Sequence, residues 1–241
     1  MSIITSARRA RVGRRVAPTP DRRLQMLGEA ASERVVLRAD DGSLLPLDPD
    51  RWYGEANPLE LDLLHGVEGP VLDVGCGPGR LVVGLAERGI PALGVDSAPA
   101  AIELARGRGA PVLHRSVFDP LPGEGRWKTI LLLDGNVGIG GNPVRLLARC
   151  AALLAPGGTV IAEVAQPGTP TVDLRARLER NGATGTWFPW SVVGADAIGE
   201  LSSIAGFPNS DLSRAVDHSV GASDRWFAHL NASEVEACAC R

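Results

Sequence analysis

Short apolar runs alternate with stretches of helical period over most of the middle of this chain. Residues 70–74, 92–96, 111–114, 128–134 and 158–163 read as strands buried on both faces, because their apolar positions are nearly continuous. Between them, 80–88, 98–107 and 143–154 carry apolar residues at three- and four-residue spacing and read as helices. Strands alternating with helices predict a doubly wound, mostly parallel sheet with helices on both faces. Asn57-Pro58 predicts one more helix, through about residue 64, with asparagine as its cap and proline in its first turn.

Two segments follow a period of two instead. Val35–Arg38 and Leu44–Leu47 flank Asp40-Asp41-Gly42, a short hairpin. Val172, Leu174, Ala176 and Leu178 alternate with Asp173, Arg175, Arg177 and Glu179, then Asn181-Gly182 supplies a turn and Thr186-Trp187-Phe188 a returning strand. Residues 171–190 therefore read as a β-hairpin inserted after the fifth strand of the sheet. A helix at 195–205 and strands near 212–220 and 225–230 complete the pattern. The expected organisation is a tail over 1–25, a cover segment over 26–69, a main domain over 70–230 holding the inserted hairpin, and a tail over 231–241.

Composition narrows the class. With 241 residues and 44% hydrophobic content, the chain can build one α/β domain with a small appendage. No apolar run approaches the ~20 residues of a membrane span, so no membrane role is expected. Residues 1–23 hold seven arginines, but no apolar stretch follows as in a secretory signal, and the segment reads as disordered. Four cysteines, at 76, 150, 238 and 240, give no disulfide framework, which points to reducing cytoplasm. The two terminal cysteines have the wrong spacing for zinc, and no metal site is expected. Net charge is −3, so the basic start is offset by an acidic body.

The chemistry concentrates at residues 71–80, Val71-Leu72-Asp73-Val74-Gly75-Cys76-Gly77-Pro78-Gly79-Arg80. A buried strand runs into a loop with glycine at every second position, where a ligand can approach the backbone closely. A dinucleotide fingerprint would need glycine at position 80, and arginine stands there. Asp73, Asp96 and Asp134 each close a strand, and in a doubly wound sheet the ligand crevice lies outside those strand ends.

The pattern D-x-G-x-G-x-G resembles motif I of the class I S-adenosylmethionine-dependent methyltransferases, and the chain feels closest to bacterial small-molecule members. The resemblance spans roughly residues 57–230 and implies a seven-stranded, Rossmann-like sheet whose last two strands form an antiparallel hairpin. It implies that Gly75, Gly77 and Gly79 lie against the amino-acid end of S-adenosylmethionine, with Asp73 near its ammonium group. Asp96 would receive the ribose hydroxyls, since a carboxylate's two oxygens suit a vicinal diol; the alternative is a helix cap, by Asp96 or Ser97. For adenine, Ser116 or Asp119 would accept from the amino group and the Val117 N–H would meet the ring; Asp119 before Pro120 equally suits a turn. Asp134 would mark where donor and acceptor meet, with Asn136 beside it.

Methyl transfer is an in-line displacement that rests largely on positioning, while an oxygen nucleophile usually needs a base. Asp134, Glu163 and the histidines at 65, 114, 218 and 229 are the candidates, His65 because family members fold an N-terminal helix over the cofactor near it. Five of the ten aromatics, Trp52, Tyr53, Trp187, Phe188 and Trp190, fall in the cover and hairpin, and are expected to wall the acceptor pocket or else to pack those appendages onto the core. The expected activity is methyl transfer to a small molecule, with S-adenosylhomocysteine as product. Two alternatives are an RNA-directed enzyme using the arginine-rich tail and a non-catalytic cofactor-binding protein. The D/N-P-P-aromatic signature of base methylation is missing, which weighs against nucleic acid.

Overall fold

The computed structural model describes residues 35–45, 49–180, 183–216 and 224–234. The expected tail over 1–25, the Asn181-Gly182 turn, His218 and the two terminal cysteines lie outside them.

Seven strands form the main sheet: β3 (Val71–Val74), β4 (Ala92–Asp96), β5 (Val112–His114), β6 (Trp127–Leu132), β7 (Leu154–Val164), β11 (Asn209–Ala215) and β12 (Arg225–Asn231). Their spatial order is β11-β12-β7-β6-β3-β4-β5. β3 to β7 run parallel, while β12 is antiparallel to both β7 and β11. The expected doubly wound sheet with a closing antiparallel hairpin is therefore present. Helices α2 (Pro58–Leu63), α3 (Arg80–Ala86), α4 (Pro99–Gly107), α5 (Pro143–Leu153) and α6 (Ile198–Ile204) fall within a few residues of expectation. Asn57 caps α2 through a reciprocal pair with Glu60: the Glu60 N–H donates to Asn57 Oδ1, and the Asn57 N–H to Glu60 Oε2.

The central strands bury both faces, as continuous apolar runs require. Leu72, Ile130, Leu132 and Val160 pack with α5 residues Leu146 and Leu147 on one side. Val71, Leu131, Leu133 and Ile161 pack with Leu64, Leu81 and Leu85 on the other. Asp73 and Glu163 share the parity of that second set, so the strand pleat turns both toward α2 and α3.

Several boundaries differ from expectation; the returning strand expected at 186–188 spans Phe188–Val192, with Thr186 and Trp187 outside it. β11 starts at Asn209 rather than 212, because it pairs with β12 from Asn209↔Asn231 onward, and its polar sequence at an exposed sheet edge carries no apolar signal. β7 starts at Leu154, directly after α5, rather than at 158.

The larger departure concerns the two period-two segments. Instead of two separate hairpins they form one antiparallel sheet, ordered β10-β8-β1-β2. It comprises β1 (Val35–Ala39), β2 (Leu44–Leu45), β8 (Val172–Arg180), β9 (Ala183–Thr184) and β10 (Phe188–Val192). β1 lies along β8 with Leu37 opposite Leu178 and Ala39 opposite Ala176. Each strand alone has one apolar face and two open edges, and their pairing buries Val35, Leu37, Ala176 and Leu178 as a small second core. A five-residue helix, α1 (Pro49–Tyr53), links β2 toward α2. No helix among the described residues is long and apolar enough to cross a membrane.

Candidate active site

A cleft of about 400 Å³ opens at the carboxyl ends of β3, β4 and β6, roofed by the antiparallel sheet. Its floor is the loop after β3. There Gly75 and Gly77 adopt φ +72° and +53°, a left-handed backbone that a side chain disfavours. Beyond Gly77 nothing lies within 4 Å of where a Cβ would stand, so its backbone faces open space. Gly79 instead caps α3, with Ala105 and Ala110 about 3 Å from where its Cβ would be, and does not line the cleft.

Asp96 ends β4 at the cleft wall and is tied to this floor: the Gly77 N–H donates to its Oδ2 at 2.9 Å and the Ala98 N–H to its Oδ1 at 2.7 Å. The second contact closes a turn ahead of the helix, whose N-cap is Ala98 with no side-chain hydrogen bond, so neither Asp96 nor Ser97 caps it; each Asp96 oxygen keeps a further lone pair. Burial raises its pKa, and the two backbone donors oppose the shift. Ser97, Ser116 and Val117 also line the cleft. Asp119 does not: its Oδ2 accepts from the Ser116 N–H at 3.3 Å within the exposed turn, so it takes the turn role.

Asp73 differs from expectation. Its side chain is 2% exposed and lies beneath the floor rather than in the crevice, because the pleat of β3 points it toward α3. Its Oδ2 is buried without a hydrogen-bond partner. Burial, opposed by the charge of Arg80 and reinforced by Asp134, Asp96 and Glu60, pushes its pKa up to about 7.

Asp134 lines the cleft but is heavily engaged. Its Oδ2 accepts from Arg80 Nη2 at 2.7 Å and its Oδ1 pairs with Arg51 Nη2 at 2.9 Å. These contacts belong to a buried ionic cluster that nothing in the sequence pattern announced. Arg80 also donates to both oxygens of Glu60, at 2.8 and 3.1 Å. Arg225 on β12 donates to Glu60 at 3.1 Å and to both oxygens of Glu163, at 2.7 and 2.8 Å. Burial alone would raise Glu60 and Glu163, but Arg80 and Arg225 outweigh it and hold both carboxyls low. The cluster ties α2, α3, β7 and β12 together under the cleft, and Arg51 fastens α1 to it.

Asn136 stands at the cleft and serves the floor: its Nδ2 donates to Val74 O and Gly75 O at 2.9 and 3.0 Å. Trp52, Tyr53, Phe188 and Trp190 line the cleft, whereas Trp187 lies outside it with the Arg177 guanidinium 4.6 Å above its ring. Leu37 and Leu178 line it too, unforeseen. Of the candidate histidines, His65 is exposed in the turn after α2 and lines no part of the cleft. His114 is exposed beside Ser97 O, and His229 sits on β12 near Ser213.

The comparisons converge on one family. A family model described as a methyltransferase domain matches residues 51–216. A ubiquinone biosynthesis O-methyltransferase from Alkalilimnicola ehrlichii is 35% identical over 119 residues, covering 44% of this chain and 48% of the relative. A 2-heptyl-1-hydroxyquinolin-4(1H)-one methyltransferase from Mycobacteroides abscessus is 48% identical over 75 residues, 30% of this chain and 33% of the relative. The chain thus spans about half, or less, of the length of these curated relatives. The crystal structure of an S-adenosylmethionine-dependent methyltransferase from Bacteroides fragilis, in complex with S-adenosyl-L-homocysteine, shares the fold. Its TM-score is 0.67 at 18% identity, covering 88% of this chain and 95% of that one.

Proposed function

Since the chain belongs to the methyltransferase-domain family, we propose that it transfers the methyl group of S-adenosylmethionine to a small-molecule acceptor and releases S-adenosylhomocysteine. The observation that carries this reading is the pairing of Gly77 with Asp96: open backbone on one side, a carboxylate on the other, hydrogen-bonded at 2.9 Å. The residues present fit the group. The unpartnered Asp73 Oδ2 below the floor suits a cation nearby, and the lone pairs left on Asp96 suit a diol.

When bound, S-adenosylmethionine supplies an electrophilic methyl on a sulfonium. The protein's part is to hold acceptor and donor in line and to keep water out. Gly75 and Gly77 let the floor approach the donor, Asp96 holds the ribose, and Ser116 with the Val117 backbone receives the adenine. Asp134 acts here as a positioning group rather than as the base, since both of its oxygens are held by arginines. His65 has no part in the step. Trp52, Tyr53, Phe188 and Trp190 exclude water above the reacting atoms. The small-molecule acceptor is supported by the names of the two curated relatives, which refer to ubiquinone biosynthesis and to a hydroxyquinolone.

Calorimetric titration with S-adenosylmethionine and with S-adenosylhomocysteine tests this directly. Micromolar, one-to-one binding of both is expected; no binding at millimolar concentration overturns it.

A further inference from the structure

The roof of the cleft comes from two pieces of chain about 140 residues apart. Leu37 on β1 and Leu178 on β8 are direct cross-strand partners, 5% and 9% exposed, and both line the cleft. Paired residues of this kind hold their Cβ atoms roughly 4.5–5.5 Å apart, so the two leucines make one continuous apolar surface. Beside them Phe188 and Trp190 meet edge to face, with ring centroids 6.1 Å apart and planes at 84°. Their strand, β10, is fixed to β8 with Phe188 opposite Ala176 and Trp190 opposite Leu174. Trp190 also bridges to Ile139, which places the roof directly over the loop that follows β6.

This wall is distinct in chemistry and in origin from the floor. The floor offers backbone N–H groups and the Asp96 carboxylate. Of the four wall side chains, only the Trp190 indole carries a hydrogen-bonding group. A sugar or amino-acid acceptor pressed against the wall would shed water without replacement partners, at a cost that disfavours binding. A ring with apolar faces gains from the same contact. β1 lies outside the part of the chain that matches the family, which begins at residue 51.

We propose that Leu37 and Leu178, with Phe188 and Trp190, select the acceptor, and that the acceptor is an apolar ring compound lying flat against the β1–β8 wall. The proposal rests on the methyl-transfer reading and deepens it by naming the acceptor class. In it, Leu37 and Leu178 are specificity residues, and β1 is the element that sets the height of the acceptor space.

The test uses the full chain saturated with S-adenosylhomocysteine, with 2-naphthol as the apolar ring probe and glucose as the polar one, followed by tryptophan fluorescence and calorimetry. Expected is saturable binding of 2-naphthol and none of glucose. Leu37→Ser should weaken 2-naphthol about ten-fold or more, the scale of one lost leucine contact, while S-adenosylhomocysteine affinity stays within about two-fold. Retained S-adenosylhomocysteine binding also reports that this variant is folded. Leu178→Phe keeps the wall apolar and fills space, so it should exclude 2-naphthol yet admit phenol. Failure of the wild type to bind S-adenosylhomocysteine would sink the methyl-transfer reading itself. Normal S-adenosylhomocysteine binding with 2-naphthol unbound, no better than glucose, or indifferent to both substitutions would overturn the acceptor proposal alone.

Discussion

A Cβ placed on Gly75 would stand 2.6 Å from the side-chain nitrogen of Asn136, while one on Gly77, two residues on, would meet nothing within 4 Å. The two glycines therefore answer different demands. Asn136 fills the space at Gly75 and braces the loop through Val74 O and Gly75 O. Gly77 leaves its space open toward the cleft. Both have positive φ, so alanine costs about 1–2 kcal/mol at either site from conformation alone. Gly75→Ala should lose more than this, because the Asn136 amide must also move. Gly77→Ala should lose little more in stability but weaken S-adenosylhomocysteine at least about ten-fold, and Gly77→Asp should abolish binding. Denaturant unfolding and calorimetry on the same samples separate the two effects; equal losses in both assays for both variants would contradict this division.

Asp96 is tied to the floor through the Gly77 N–H at the cleft, so its replacement should be felt in binding before folding. Asp96→Ala removes the acceptor for the Gly77 and Ala98 N–H groups and for the ribose. A loss of roughly 1.5–3 kcal/mol in S-adenosylmethionine affinity is expected, the scale of hydrogen bonds to a charged group. Unchanged affinity would remove Asp96 from the cofactor site.

The ionic cluster predicts a large stability effect at a residue that touches no ligand. Glu60 is fully buried and receives Arg80 and Arg225 together. Glu60→Ala would leave two guanidinium groups buried with one partner fewer, a change that costs about 3–5 kcal/mol. Because Glu60 and Glu163 have lowered pKa values in the folded chain, the stability they contribute is present above their ordinary value near 4.5 and is lost as pH falls through their folded values. Urea unfolding between pH 3 and 6 should show this acid limb, and Glu60→Ala should flatten it.

The sequence carried the cofactor side further than the acceptor side, for physical reasons. A strand-loop-helix with alternate glycines is local, so the floor and the place of Asp96 at a strand end could be read from spacing, whereas the seven-stranded sheet with its antiparallel closing hairpin was legible only through the family resemblance. The alternation in 172–178 identified β8, but not its partner, because period two says which face is apolar and nothing about what lies alongside. The pairing of Val35–Ala39 with β8, and with it the roles of Leu37 and Leu178, depends on a contact between distant segments. The ionic cluster was hidden differently. Arg51, Arg80 and Arg225 are three arginines among many, and each looks like an ordinary surface cation until α2, α3, β7 and β12 are folded onto one another. Asp73 was recognised by motif and misplaced by geometry: the pleat of β3 sends it under the floor instead of into the crevice.

That displacement gives Asp73 a pH dependence of opposite sign to the glutamates. Its carboxyl ordinarily titrates near 3.8 and is pushed up to about 7 in the folded chain, chiefly by burial. Between those values the folded state holds the proton that the unfolded chain has released, so stability falls as pH rises from about 4 to about 7, and this contribution is level beyond. Asp73→Asn, which cannot ionise, should remove that slope while keeping the shape of the site. A cation bound above the floor would favour the ionised carboxyl, so S-adenosylhomocysteine affinity should rise with pH across neutrality in the wild type relative to Asp73→Asn. Urea unfolding and calorimetry of both proteins at pH 5, 6, 7 and 8 provide the two readouts. Parallel stability slopes in the two proteins would show that Asp73 is ionised throughout. A matching pH profile of affinity would place the cofactor's ammonium group beyond its influence.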